Sequence, residues 1–201
     1  MNRNKVLLAM TGASGAVYGI TLGRELLNLG AHLTMLVSAT GFQVIREETG
    51  HDLSVAVDIK RALEEVFRPG PEQFDYFAQD DFFAAVASGS SAPDAMVICP
   101  CSMGTLSRVA CGNSATLLER CADVMLKESR PLVLVPRETP LNGIHLENML
   151  KLSRLGARIV PAMPAFYHRP ETIDDLVNFV VGKVLDSLGI ENSLFKRWKE
   201  K

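Results

Sequence analysis

The run VLLAMTGASGAVYGITLGRELLNLGAHLTMLV, residues 6–37, decides the fold. Val6-Leu7-Leu8-Ala9-Met10 is apolar at every position, the pattern of a strand buried on both faces. Thr11-Gly12-Ala13-Ser14-Gly15 follows, small enough for a tight turn from strand to helix. Residues 16–29 carry helical spacing until Gly30 stops it, and His32-Leu33-Thr34-Met35-Leu36-Val37 is a second strand. Two such strands joined by a helix form a parallel unit, because parallel neighbours need a crossover and helices to cover both faces.

The same alternation continues outward. Helical segments are predicted at about 41–49 and 58–67, the second ending at Pro69-Gly70-Pro71. Phe74–Phe77 is a short strand, Ala95–Cys99 and Leu132–Val135 are strong ones, and Arg158–Val160 is shorter. In the last helix Ile173, Leu176, Val177, Val180, Val181, Val184, Leu185 and Leu188 keep one apolar face. Thr172 can cap it, with Asp174 and Asp175 in the first turn, where the helix dipole favours acids. No repeat, low-complexity tract or interdomain linker interrupts this. The expected fold is a single-domain α/β sandwich around a doubly wound parallel sheet.

Composition narrows the function. With 201 residues, 47% of them hydrophobic, the chain can bury one core without staples or metals. A net charge of −2 argues against nucleic acid as partner, since phosphate backbones demand a basic excess. Phosphate chemistry must therefore come from a few placed cations. The four cysteines, Cys99, Cys101, Cys111 and Cys121, lack zinc-site spacing, and the four histidines are scattered at 32, 51, 145 and 168. They read as small buried hydrophobes in a reducing cytoplasm. Arg3 and Lys5 precede an apolar run, but Thr11-Gly12 breaks it short of the ~7–15 residues of a signal-peptide core. No stretch approaches the ~18 apolar residues of a membrane span.

The unusual polar residues share one location. Thr11–Gly15, Ser38, Pro100–Thr105, Arg137-Glu138 and Pro161–Tyr167 each follow a predicted strand. In open parallel sheets ligands bind outside the carboxyl ends of the strands, so these clusters make one candidate site. Gly12, Gly15 and Gly19 superficially resemble a dinucleotide fingerprint. Yet no Asp or Glu lies between Glu25 and Glu47, where a ribose-binding acid belongs, and a mononucleotide fits better. The first loop can bring backbone N–H groups and a helix start to an anion. Ser102 and Thr105 offer a second such cradle; a plain helix cap is the other reading of Ser102. Arg120 and Lys127 lie two turns apart on one helix face, ~10 Å along its axis. Lys127 can equally complement a helix end. Lys183 sits at the edge of the last apolar stripe. Together with Arg137-Glu138 these charges suit a phosphate monoester leaving group, with cations to neutralise it and an acid for its proton.

These residues carry a family resemblance. Met10–Gly15, Ser88-Gly-Ser-Ser-Ala-Pro93, Cys99-Pro-Cys-Ser-Met103, Pro131–Pro140, Ile144–Ser153 and Pro161–Tyr167 resemble the motifs of UbiX flavin prenyltransferases over about residues 5–190. The resemblance implies a flavodoxin-like or Rossmann-like domain at 1–190, a C-terminal tail at 191–201, and a cytoplasmic homododecamer with its active site at subunit interfaces. It implies a metal-independent transfer of a dimethylallyl group from dimethylallyl monophosphate to reduced FMN. Bonds would form at N5 and C6, and the prenylated FMN would pass to UbiD-type decarboxylases of the kind serving ubiquinone biosynthesis. By motif position Gly12, Ala13, Ser14, Ser38, Ser102, Met103, Gly104, Thr105 and Arg137 would hold FMN. Ser90, Arg120, Lys127, Arg137, Tyr167 and Lys183 would hold the prenyl phosphate. Ser14, Glu48, Lys127 and Glu138 would be catalytic, and Trp198 would close the site.

Two departures mark this chain: Phe82 stands where some members carry Trp, and Lys183 where others carry Arg. The residues themselves agree on one point. The Asp pairs Asp80-Asp81 and Asp174-Asp175 lack the third acid of a Mg²⁺-binding D-D-x-x-D. An FMN-dependent cysteine-type decarboxylase and a flavodoxin-like carrier are the alternatives. The first would have little use for Arg120, Lys127 and Lys183 together, and carriers are usually more acidic.

Overall fold

A computed structural model describes residues 5–198. Arg3 and the last residues of the tail, 199–201, lie outside them. Six strands, all parallel, form one sheet: β1 (Lys5–Met10), β2 (His32–Val37), β3 (Phe74–Tyr76), β4 (Ala95–Cys101), β5 (Leu132–Pro136) and β6 (Arg158–Ile159). Their order is β3-β2-β1-β4-β5-β6. The chain leaves β3 at one edge and re-enters beside β1, so the switch point lies between β1 and β4. This is the strand order of the Rossmann-type doubly wound sheet.

Helices cover both faces as the strand patterns require. α1 (Ala16–Asn28), α2 (Ala39–Thr49), α3 (Ile59–Phe67) and α7 (Ile173–Leu188) border one core, and α4 (Met103–Ala110), α5 (Leu117–Lys127) and α6 (Gly143–Arg154) the other. β1 divides itself between them: Val6, Leu8 and Met10 face the first core, Leu7 and Ala9 the second. All five are buried. Each such leucine contributes roughly 1.5–3 kcal/mol by leaving water.

Boundaries moved where backbone geometry overrides pattern. β4 runs past the predicted Cys99 to Cys101, through a shift of register between Ile98 and Cys101. α2 starts at Ala39, because Ser38 caps it by accepting from the Gly41 amide at 2.9 Å. α7 opens with the expected Thr172 cap, doubled by Asp175 accepting from the Thr172 amide. Among the described residues no helix is long and apolar enough to cross a membrane.

Candidate active site

The carboxyl ends of β1 and β4 are stitched together by one buried side chain. Thr11 Oγ1 donates to the Pro100 carbonyl at 2.9 Å and accepts from the Ser102 amide at 2.8 Å. The loop after β1 is thereby fixed against the start of α4. Around it, Gly12 has no room for a side chain, since a Cβ there would lie 2.4 Å from Thr40 Oγ1. Thr40 and Ser38 hydroxyls meet at 3.2 Å. Gly15 starts α1 at φ 108°, a conformation that favours glycine. Arg137, just past β5, donates from Nε to the Ser14 carbonyl at 2.9 Å. Three strands thus supply one concave edge.

The two strand-to-helix turns differ. At α1 the place of an anion is filled by the chain itself: Glu48 accepts from the Gly15 amide at 3.0 Å and the Ala16 amide at 2.7 Å. At α4, Ser102 is the cap, accepting from the Thr105 amide at 3.2 Å. The amides of Met103 and Gly104 in that first turn have no partner within the helix and remain free for a ligand. Thr105 is buried, and its hydroxyl accepts from Ser102 Oγ at 3.0 Å and Arg108 Nη2 at 3.2 Å. Glycine closeness at Gly12 and the open α4 turn suit a flat ring carrying a phosphate, which is the shape of FMN.

The predicted cations lie on opposite faces of the sheet, Arg120 and Lys127 on α5 and Lys183 on α7. Arg120 on α5 is 3.8 Å from Asp123. Lys127 ends α5 beside Glu128, and both reach the loop of Ser88 and Ser90: a Cβ on Gly89 would lie 3.0 Å from Lys127 Nζ. Lys183 on α7 pairs with Asp186 at 3.3 Å. Among the described residues no hydrogen bond or ion pair joins Arg120, Lys127 and Lys183 to one another or to Arg137. Glu138 accepts from the Thr139 amide and faces solvent. Tyr167 packs edge-on against Trp198 at 5.1 Å and against Phe179 at 5.9 Å. Phe82 is partly exposed. A cavity of about 370 Å³ beside Lys183 is lined by Val160, Pro161, Met163 and Phe179, an apolar wall with one cation. A larger cavity, about 440 Å³ between α1 and α7, holds none of the predicted residues.

Burial pushes the Cys101 and Cys121 thiols up to about 12 and the Cys99 thiol higher still, so none of these is a poised nucleophile. Tyr18 is also raised by burial, with Cys99 adding and Arg137 opposing. Among the described residues no group of three or more His, Cys, Asp or Glu side chains gathers as a metal site. Sequence reasoning placed Thr11 in the first loop without its bridge to β4, and missed Thr40, Arg108 and Glu119. Only Glu119 had a legible signal, the capping box of Thr116 and Glu119 at the start of α5.

A family model described as Flavoprotein matches residues 1–185. A flavin prenyltransferase UbiX of Halalkalibacterium halodurans is 54% identical over 193 residues, which is 96% of this chain and 92% of the relative. Among solved structures, AnUbiX (PadA1) in complex with FMN and dimethylallyl pyrophosphate superposes with a TM-score of 0.88 at 38% identity, covering 100% of both chains. A dodecameric FMN-dependent UbiX-like decarboxylase from Escherichia coli O157:H7 gives 0.86 at 41% identity, over 98% of this chain and 100% of the other. Likeness of this extent leaves one conclusion: the chain belongs to the UbiX family of flavin prenyltransferases within the flavoproteins.

Proposed function

We propose that the chain joins the dimethylallyl group of dimethylallyl monophosphate to reduced FMN, releasing phosphate. The observation that carries this is the α4 turn, free to take a phosphate, set beside a glycine-walled loop in a chain half identical to flavin prenyltransferases. Gly12, Ala13, Ser14, Ser38, Ser102, Met103, Gly104, Thr105 and Arg137 hold FMN. Reduced FMN would supply the nucleophile, N5 for the bond to C1′ and C6 for the ring-closing bond to C3′, the C2′=C3′ double bond being consumed by uptake of a proton at C2′. Ser90, Arg120, Lys127, Arg137, Tyr167 and Lys183 bind the prenyl phosphate. Their cations stabilise the charge that gathers on the phosphate as the C1′–O bond breaks with its electron pair. Glu48, lying against the Ser14–Ala16 turn, takes the proton lost at the flavin, with Ser14 beside it. Glu138 manages the proton on the departing phosphate. The apolar groove at Met163 and Phe179, capped by Trp198, keeps water from the allylic carbon.

The separation of Arg120 and Lys127 from Lys183 within one chain supports a site completed by neighbouring copies, in a dodecamer like that of the Escherichia coli neighbour. The product would pass to a UbiD-type decarboxylase. Unpaired cysteines support a cytoplasmic setting. Anaerobic incubation with reduced FMN and dimethylallyl monophosphate, followed by mass analysis, tests the proposal. Gain of one dimethylallyl unit on the flavin is expected, undiminished by EDTA because the sequence lacks D-D-x-x-D. No adduct would overturn the activity, and loss restored by Mg²⁺ would overturn its metal independence.

A further inference from the structure

Thr105 has used up its capacity to accept. A hydroxyl oxygen carries two lone pairs and one proton. Both pairs are engaged, by Ser102 Oγ at 3.0 Å and Arg108 Nη2 at 3.2 Å. Ser102 in turn spends its own proton on Thr105 and accepts from the Thr105 amide. The proton of Thr105 is therefore the one side-chain donor that this turn leaves for a ligand.

Arg108 does not hold that position alone. Helical side chains lean toward the helix N-terminus, and Arg108, though in the last turn of α4, reaches back along the first. Its Nη1 lies 3.4 Å from where a Cβ on Gly104 would sit. Its Nε bonds to Oε1 of Glu119, whose side chain is only 2% exposed. The other carboxylate oxygen of Glu119 accepts from the Ala115 amide at 2.9 Å and the Thr116 amide at 3.2 Å. A buried carboxylate without a cation is costly, so the guanidinium is held where the Glu119 charge requires it.

We infer that Arg108 and Glu119 are positioning residues for the flavin site: Glu119 fixes the Arg108 guanidinium, and the guanidinium commits the Thr105 hydroxyl to donate to the flavin phosphate. Neither residue needs to touch the flavin. The inference rests on the assignment of the α4 turn to FMN, and the test separates the two. Glu119→Gln also weakens the α5 cap, so Arg108→Met carries the experiment. The full chain and the variants Thr105→Val, Arg108→Met and their double are titrated with FMN and, in parallel, with riboflavin, which lacks the phosphate. Thermal midpoints without flavin check folding.

Thr105→Val weakens FMN binding about tenfold or more, the loss expected for a hydrogen bond to a charged group. Arg108→Met weakens it by a smaller factor, riboflavin affinity stays within twofold, and the double variant is no weaker than Thr105→Val. A full additional loss in the double variant overturns the inference, because Arg108 would then act on the flavin without Thr105. So does an FMN affinity untouched by Arg108→Met while Thr105→Val weakens it. An affinity untouched by Thr105→Val overturns the assignment of the turn itself, and the positioning pair with it.

Discussion

The start of α4 and the cations of α5 and α7, both proposed to hold an anion, are built in opposite ways. At α4 the polar groups are tied across long stretches of chain. Thr11 reaches Ser102 and Arg137 reaches Ser14, while Thr105 is clasped locally by Ser102 and by Arg108, itself held by Glu119 from α5. On α5 and α7, among the described residues, each cation is tied only to a nearby acid of its own segment: Arg120 to Asp123, Lys127 to Glu128, Lys183 to Asp186. Their side chains are 46%, 51% and 49% exposed. Exposed pairs of this kind contribute about 0–1 kcal/mol, so little is lost when such a cation turns to a phosphate. The first region is preorganised within one chain. The second is a set of movable charges that a ligand, or a neighbouring subunit, must gather.

Lys127→Ala gives this contrast its hardest test. Removing one preorganised donor from a developing negative charge typically costs ~10²–10³ in rate. For a movable cation that is the ceiling, and kcat/KM for the prenyl phosphate should fall about tenfold or more toward it. FMN affinity should stay within twofold, because no bond links Lys127 to the α4 turn. A parallel loss of FMN binding would show that the two regions are one. Gly12→Ala is the converse and smaller test. A Cβ 2.4 Å from Thr40 Oγ1 forces the loop after β1 to shift. Overpacking of this kind costs about 1–3 kcal/mol, or roughly 5- to 150-fold if it falls on flavin affinity. With flavin saturating, KM for the prenyl phosphate should change little. A KM that rises as steeply would deny the separation.

Much of the first region was legible, and little of the second. The apolar runs of β1, β2, β4 and β5 show in the sequence because strands buried on both faces are apolar at nearly every position, with Thr34 of β2 a buried exception. The helix of Ile173–Leu188 shows in its period and its Thr172 cap. Position after a strand was enough to collect Thr11–Gly15, Ser38 and Ser102–Thr105 at one edge. The sequence could not show that Glu48 folds back over 33 positions to fill the α1 start, leaving only α4 open. Nor could it show Thr11 bridging 91 positions to Ser102. Such contacts depend on how layers pack, which local pattern does not encode. For the cations the obstacle is different. Spacings such as Arg120 with Asp123 reveal the resting partner of a charge, but not the ligand for which it leaves that partner.

The tail offers the smallest and most direct measure of how movable that second region is. Asp186 pairs with Lys183 and also takes both Nη atoms of Arg197 at 2.8 Å, beside Trp198, the chain's single tryptophan. Hydrogen bonding to Arg197 above all holds the Asp186 carboxyl down at about 2, with Asn192 and Lys183 assisting. A depressed carboxyl lends its full stability above its unfolded value near ~4 and loses it as pH falls toward the folded value. Asp186 therefore stays ionised from pH 8 to 5, and quenching of Trp198 by acrylamide should rise only below about pH 4. At pH 7 Asp186→Asn should reproduce the acid effect. Loss of about 1 kcal/mol shifts the seated-to-released ratio roughly fivefold. If quenching is unchanged in Asp186→Asn, the edge-on contact of Trp198 with Tyr167 seats the tail by itself. Lys183 could then leave Asp186 for the proposed phosphate without loosening the tail.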